Sequence, residues 1–262
     1  MDARVRTFGV QLRDWRVRRR LSQLSFACDA EISARHLSFL ETGRSAPSRD
    51  MVLRLAEKLD IPIRERNGML VAAGYAPVFP ERALNDPALK AARDAIDIVL
   101  EGHKPFPAFA IDRYWNVVAS NRALEPMYEG VAEHLLRPPV HGLRLCLHPE
   151  GLAPRTANLP EWRAHLLARL RQQVEHTGDV ALSALHDELA AYPCPRGAAH
   201  FAEAPGIVVP FKILVRGEVL SFFSTTTVFG TPIDVTLSEI ALECFYPADR
   251  ETDARVRALS NC

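Results

Sequence analysis

Apolar side chains in the first third of the chain recur every three or four positions, the interval that gathers them on one face of an α-helix. Phe8, Leu12, Trp15 and Arg19 align over 7–19, and Leu24, Phe26 and Ala27 over 23–30. Leu37 and Leu40 align over 34–42, and Met51, Val52, Leu55, Ala56 and Leu59 over 49–59. A fifth segment, 63–73, follows Pro62, whose fixed φ suits a helix start. Ser22 and Ser33 sit where a hydroxyl can accept a backbone N–H at a helix beginning, and Gly43 and Gly74 where a helix can end. The pattern predicts five short helices joined by tight turns.

The stretch 75–85 (YAPVFPERALN) holds two prolines and no period, which reads as a linker. A helix over 87–101 follows, carrying Leu89, Ile96, Val99 and Leu100. Beyond it the period shortens to two. Strands at 108–111 and 116–119 bracket Asp112-Arg113, and Asn121 is placed to cap a short helix ending near Tyr128. Amphipathic helices are predicted over 160–176 and 179–191, then strands over 207–215, 218–226 and 237–245, the first two joined at Arg216-Gly217. This distribution predicts an α+β domain on an antiparallel sheet, behind an all-α domain.

Composition narrows the field. With 262 residues, 48% apolar and 24% charged, the chain has globular proportions and room for two cores. No run approaches 18 apolar residues, so no transmembrane helix is expected. The opening MDARVRTFGVQLRDWRVRRR has arginines where a secretory signal needs an apolar core, so the expected address is the cytoplasm. Cys28, Cys146, Cys194, Cys244 and Cys262 form no CxxC and are expected to be free thiols. Net charge is zero, yet residues 1–83 carry 15 Lys+Arg against 10 Asp+Glu, and residues 84–262 carry 17 against 22. Arg4, Arg6, Arg13, Arg16, Arg18, Arg19 and Arg20 crowd the first twenty positions. A positive module ahead of a mildly acidic one points towards nucleic acid.

The spaced set Ser22-Gln23, Ala27, Ile32-Ser33, Leu37-Ser38 and Leu40-Glu41-Thr42-Gly43-Arg44 resembles the helix-turn-helix of the phage-repressor-like (XRE/Cro) family across all five helices. In such a unit the second helix of the motif enters a major groove while the first braces on the backbone. Leu24, Ala27, Ile32, Leu37 and Leu40 are expected to face inward, and Ala34, Arg35, His36, Ser38 and Phe39 to face DNA. Arg35 suits a bidentate pair with guanine O6/N7. Gln23 and Arg44 suit phosphates, Ser33 and Ser38 phosphates or base edges, and Phe39 a thymine methyl. Glu41 is expected to orient an arginine within the module. Ala34 departs from the family pattern, which often has a long polar reader there.

The run from Ser33 through Pro77, with AFAIDRYWNVVASNRAL and VLSFFSTTTVFGTPIDVTLSEIALECFYPAD downstream, resembles the MmyB-like regulators over nearly the whole chain. The resemblance implies a helix-turn-helix domain over 1–78, a linker and connecting helix over 79–103, and a PAS-like ligand-binding domain over 104–262. By analogy it also implies an apolar ligand, a fatty acid among the options, with no certain cofactor. Phe109, Trp115, Phe211, Phe222 and Phe229 concentrate on or beside the predicted strands and are the candidate ligand contacts. For any one of them taken singly, core packing is the commoner role. The expected partners are an operator duplex, a small hydrophobic ligand and a second copy of the chain, with no membrane.

No catalytic set assembles. His141 and His148 flank an expected loop, HGLRLCLHPEG, without an acidic third ligand at a standard interval, and His186, Asp187 and Glu188 fan outward on a helix. Asp249, Glu251 and Asp253 read as a solvated acidic stretch, and phosphate-binding glycine loops are missing. No metal site and no enzyme are expected. The alternative to a ligand-responsive regulator is a DNA-binding adaptor, antitoxin-like, that holds a protein partner and no small molecule.

Overall fold

The structure, a computed structural model, describes residues 6–195, 209–230 and 232–260. Arg4, Cys262 and the 207–208 start of the predicted 207–215 strand lie outside the described residues. The chain divides into two compact units, one holding the chain through Arg82 with Glu175–Thr177 and Pro232–Val235, the other holding the remainder.

The first unit is helical: α1 (Phe8–Arg18), α2 (Gln23–Asp29), α3 (Ala34–Glu41), α4 (Arg49–Lys58) and α5 (Ile63–Ala72). Three serines start three of these helices. Ser22, Ser33 and Ser48 accept the N–H of Ser25, His36 and Met51 at 3.0, 3.1 and 3.2 Å, each satisfying a backbone donor the helix cannot. The core gathers Leu12, Phe26, Leu37, Leu40, Leu55 and Leu70, all essentially inaccessible. Leu24 corrects the expected inward stripe. It is 74% exposed, because the buried face of α2 runs through Phe26, Ala27 and Ala30 at helical spacing instead. α1 crosses α3 at Gly9, where a β-carbon would fall 2.5 Å from the Leu40 carbonyl oxygen. Only a glycine permits that approach.

The second unit opens with a 3₁₀ turn, Pro87–Leu89, running into α6 (Lys90–Gly102). Then come β1 (Ala108–Ile111), β2 (Val117–Ser120), a 3₁₀ helix (Arg122–Tyr128), α7 (Glu133–Leu136), α8 (Gly142–Leu147), α9 (Leu159–Thr177) and α10 (Val180–Ala191). β3 (Phe211–Val215), β4 (Glu218–Val228), α11 (Val235–Ser238), β5 (Ala241–Pro247) and α12 (Arg250–Ser260) complete it. The five strands form one antiparallel sheet in the order β2-β1-β5-β4-β3. The α+β, PAS-like reading therefore holds.

Strand alternation gives the sheet two buried faces. Ala108 and Ala110 of β1 and Leu242 and Cys244 of β5 pack with Ile96 and Leu100 of α6. Ile111 and Phe245 point the other way, into the main core with Leu143, Leu147, Trp162, Leu166 and Leu185 from α8–α10. Val99, expected among the apolar positions of this helix, is 42% exposed.

Asn121 is not the side-chain cap expected. Its amide nitrogen donates to the carbonyls of Leu100 and Phe106 at 3.0 and 2.9 Å, and its oxygen accepts the Ala108 N–H at 3.1 Å. Buried at 3% exposure, it fastens the end of α6 to the start of β1. The predicted 237–245 strand begins later, at Ala241, behind α11. The acidic stretch, read as solvated, has Asp249 and Glu251 exposed and starts a helix, where Asp249 accepts the Thr252 N–H at 2.7 Å. Glu251 and Asp253 then pair one turn on with Arg255 and Arg257.

Candidate nucleic-acid interface and ligand cavity

α3 is held from beneath by charge. Arg16 donates from Nε and Nη2 to the two Glu41 oxygens at 2.6 and 3.0 Å, and from Nη1 to the Leu21 carbonyl at 2.7 Å. The Gln23 amide donates to Glu41 Oε2 at 2.7 Å. One carboxylate so joins α1, α2 and the end of α3, as expected of Glu41, and it raises the Arg16 pKa through that hydrogen bond despite burial. Pairs this well bonded hold their geometry because removing either partner strands a charge in the interior.

The outward residues divide. Arg35, Thr42, Gly43 and Arg44 are exposed, and His36, Ser38 and Phe39 are half-buried. The Phe39 ring lies against two cations, with the Arg35 and Arg44 guanidinium carbons 5.3 and 5.9 Å from its centroid. Ser33 is exposed, its oxygen engaged as the α3 cap. Gln23 is half-buried with its amide committed to Glu41, and Ala34 packs against the helical core. Arg35, Phe39 and Arg44 thus come together, while Gln23 also bonds Glu41 and Ala34 borders the helical core. Sequence reasoning missed Gly9, whose close approach to α3 leaves no local signal.

In the second unit a cavity of about 720 Å³ is lined by Met127, Val215, Leu220, Phe222, Val256 and Leu259, with Lys104, Arg122 and Arg216 among its polar groups. Arg216 faces Glu129, another lining residue, at 3.8 Å. Of the five aromatics singled out, Phe222 borders this cavity. Phe109 lies 5.8 Å from Phe245 on the inner sheet face, and Phe211 stacks on Trp162 at 5.0 Å. Trp115 donates to Gln173 Oε1 at 2.8 Å beneath the Arg169 guanidinium, and Phe229 packs on the opposite face with the α6 cluster. The cations lining the cavity carried no sequence motif. Arg216 had been legible only as a turn residue.

A second polar knot lies inside the sheet. Glu243 of β5, 2% exposed, accepts from Arg169 at 2.5 Å and from the Thr226 hydroxyl at 2.9 Å. Cys146 nearby is pushed up to about 12, first by burial and then by the Glu243 charge, so it is an inert thiol at neutral pH. The HGLRLCLHPEG segment forms α8. The His141 ring accepts the Arg144 N–H at its start, and burial, with the Arg144 charge, lowers its pKa to about 4. Arg144 grips Glu188 through two bonds of 2.8 and 2.7 Å, holding that carboxyl near 2.

His134, His148 and Glu150 gather within 4.8 Å of one another. His148 Nδ1, however, accepts the Glu150 N–H at 3.1 Å. The ring proton then sits on Nε2, and neither nitrogen offers a free lone pair to a cation.

Among the described residues no helix is long and apolar enough to cross a membrane. None of the curated proteins matches the chain. A solved structure described as that of an RNA-binding Light-Oxygen-Voltage receptor is similar at 12% identity and a TM-score of 0.27, covering 97% of this chain. The chain spans 62% of that receptor's length. Residues 7–68 match a helix-turn-helix domain. Residues 92–259 match the MmyB-like transcription regulator ligand binding domain. Neither is an enzyme family. With the five helices of its first unit, the five-stranded antiparallel sheet of its second and both matches in that order, the chain belongs to the MmyB-like transcription regulators.

Proposed function

We propose that this DNA-binding regulator reads a specific duplex through α3 and answers to a small hydrophobic ligand, a fatty acid being the class that fits best. The observation that carries the DNA reading is the pair of exposed guanidiniums, Arg35 and Arg44, gathered on the half-buried Phe39 ring of a helix fixed from below by the Arg16–Glu41 pair. Arg35 is assigned to a guanine edge, Arg44 to a phosphate, and Ser33, His36 and Ser38 to the flanks. Gln23, bonded to Glu41 through one amide N–H, is assigned to a phosphate through the second and through its backbone N–H at the start of α2.

The domain limits we adopt are 1–78, 79–103 and 104–262. The protein acts as a cytoplasmic homodimer on a two-fold operator with half-sites about 34 Å apart. The ligand site is the 720 Å³ cavity, where an acyl chain lies along Met127, Leu220, Phe222 and Leu259 and a carboxylate meets Lys104, Arg122 or Arg216. Ligand shifts operator affinity only by as much as it distinguishes the two states.

Native mass spectrometry of purified protein, followed by operator titration of delipidated and fatty-acid-loaded samples, tests this. A co-purifying acyl mass and unequal operator affinities are expected. A stoichiometric protein partner with no response to fatty acid would favour the adaptor reading.

A further inference from the structure

Phe39 occupies a place its size alone does not explain. It lies one helical turn after Arg35, so the Arg35 side chain runs along the same face of α3. It is also the residue on which the end of α3 closes. Gly43 turns left-handed at φ 73°, and the N–H groups of Arg44 and Ser45 then both donate to the Phe39 carbonyl at 2.8 and 3.2 Å. That closure returns Arg44 over the ring from the side opposite in sequence. One residue thus holds Arg44 twice, by its carbonyl and by its ring, and holds Arg35 once, by its ring.

A guanidinium stacked on an aromatic face keeps its N–H groups in plane and unspent, because the ring engages the π-surface and not the donors. Two flexible side chains that would otherwise be ordered only on binding are ordered beforehand.

We infer that Phe39 is a specificity-determining residue, a positioning shelf that sets the guanidiniums of Arg35 and Arg44 as a fork for a guanine edge and the adjoining phosphate. The inference rests on the DNA-binding reading above and gives Phe39 a different task from touching a thymine methyl.

The test uses the full chain and duplexes selected by the wild type from a pool with a randomised centre. Phe39→Leu keeps apolar bulk and removes the π-face; Phe39→Tyr keeps both. Phe39→Leu is expected to weaken binding to the selected duplex roughly fivefold, the order set by losing two exposed cation–π contacts. It should also flatten the guanine preference to that of Arg35→Ala, with an unchanged thermal midpoint. Phe39→Tyr should stay within about twofold of wild type and keep the preference. In the double variant Phe39→Leu/Arg35→Ala, no further guanine preference should be lost beyond Arg35→Ala alone.

Gly43→Ala supplies a separate arm. It strains the left-handed turn and so displaces Arg44, and it should lower affinity for all sequences while leaving the guanine preference intact. Phe39→Leu retaining full guanine preference would overturn the inference, as would Phe39→Tyr losing as much as Phe39→Leu. If Arg35→Ala and Arg44→Ala are themselves without effect, the DNA-binding reading fails; if they weaken binding and Phe39→Leu does not, the shelf alone fails.

Discussion

Each half of the molecule has a carboxylate that is buried almost completely and bound by an arginine plus one neutral donor, but these two are built differently. Glu41 sits at 2% side-chain exposure with Arg16 at 10%, and its second donor is Gln23. Glu243 sits at 3% with Arg169 at 26%, and its second donor is Thr226. The first knot joins residues no more than 25 positions apart, all within one helical unit; the second reaches across 74 positions to tie α9 to β5. The more enclosed arginine has less access to water when its partner is removed, whereas Arg169 can turn more of its charge outward. The lesson is that the helical unit uses its buried charge to fix one element, α3, while the sheet unit uses its own to join distant layers.

The largest expected effect tests that contrast head on. Glu41→Ala should lower the stability of the helical unit by about 3–5 kcal/mol, because it strands Arg16 in the interior. Glu243→Ala should cost the sheet unit about 1–3 kcal/mol. Both losses are read from urea unfolding, with amide exchange assigning each transition to its unit. Equal losses would break the contrast. Gly9→Ala comes next: a methyl placed 2.5 Å from the Leu40 carbonyl oxygen should cost about 1–3 kcal/mol and push α1 from α3. It should weaken DNA binding while leaving the second unit's exchange unchanged.

A dependence on pH is expected in the second unit. The His141 pKa lies at about 4 when folded, below its ordinary 6.5. As pH falls, the unfolded chain takes up that proton first, so the His141 contribution is complete above pH 6.5 and is lost between 6.5 and 4. Glu188, lowered from 4.5 to about 2 by Arg144, adds a second loss between pH 4.5 and 2. His141→Asn should flatten the upper step and keep the lower one in melts of the second unit across this range.

Which features were legible follows the same division between local and distant. The five helices of the first unit announce themselves through serine caps, Gly43 and Gly74, all short-range signals. Within that unit the reading of Leu24 fails because the helical period admits two adjacent stripes on α2, and only packing against α3 chooses the one through Phe26. In the second unit α8 escapes notice. Its buried Leu143, Leu145 and Leu147 alternate as a strand's would, and its cap is a histidine. α12 hides in a charged run whose few inward residues include Thr252 and Val256. Of the interface, Arg35 and Arg44 could be read from spacing, but their common shelf on Phe39 depends on the left-handed turn at Gly43. The cavity cations Lys104, Arg122 and Arg216 come from a turn, a 3₁₀ helix and a hairpin far apart in the chain, so no window of sequence contains them.

The most direct measurement is hydrogen exchange by mass spectrometry on the full chain, free and bound to a duplex selected from a random pool. Slowed exchange from α2 through the turn at Gly43–Ser45, with the α4 and α5 amides unaltered, is the result this account predicts. Protection that leaves α3 and that turn untouched while binding is demonstrably tight would contradict it.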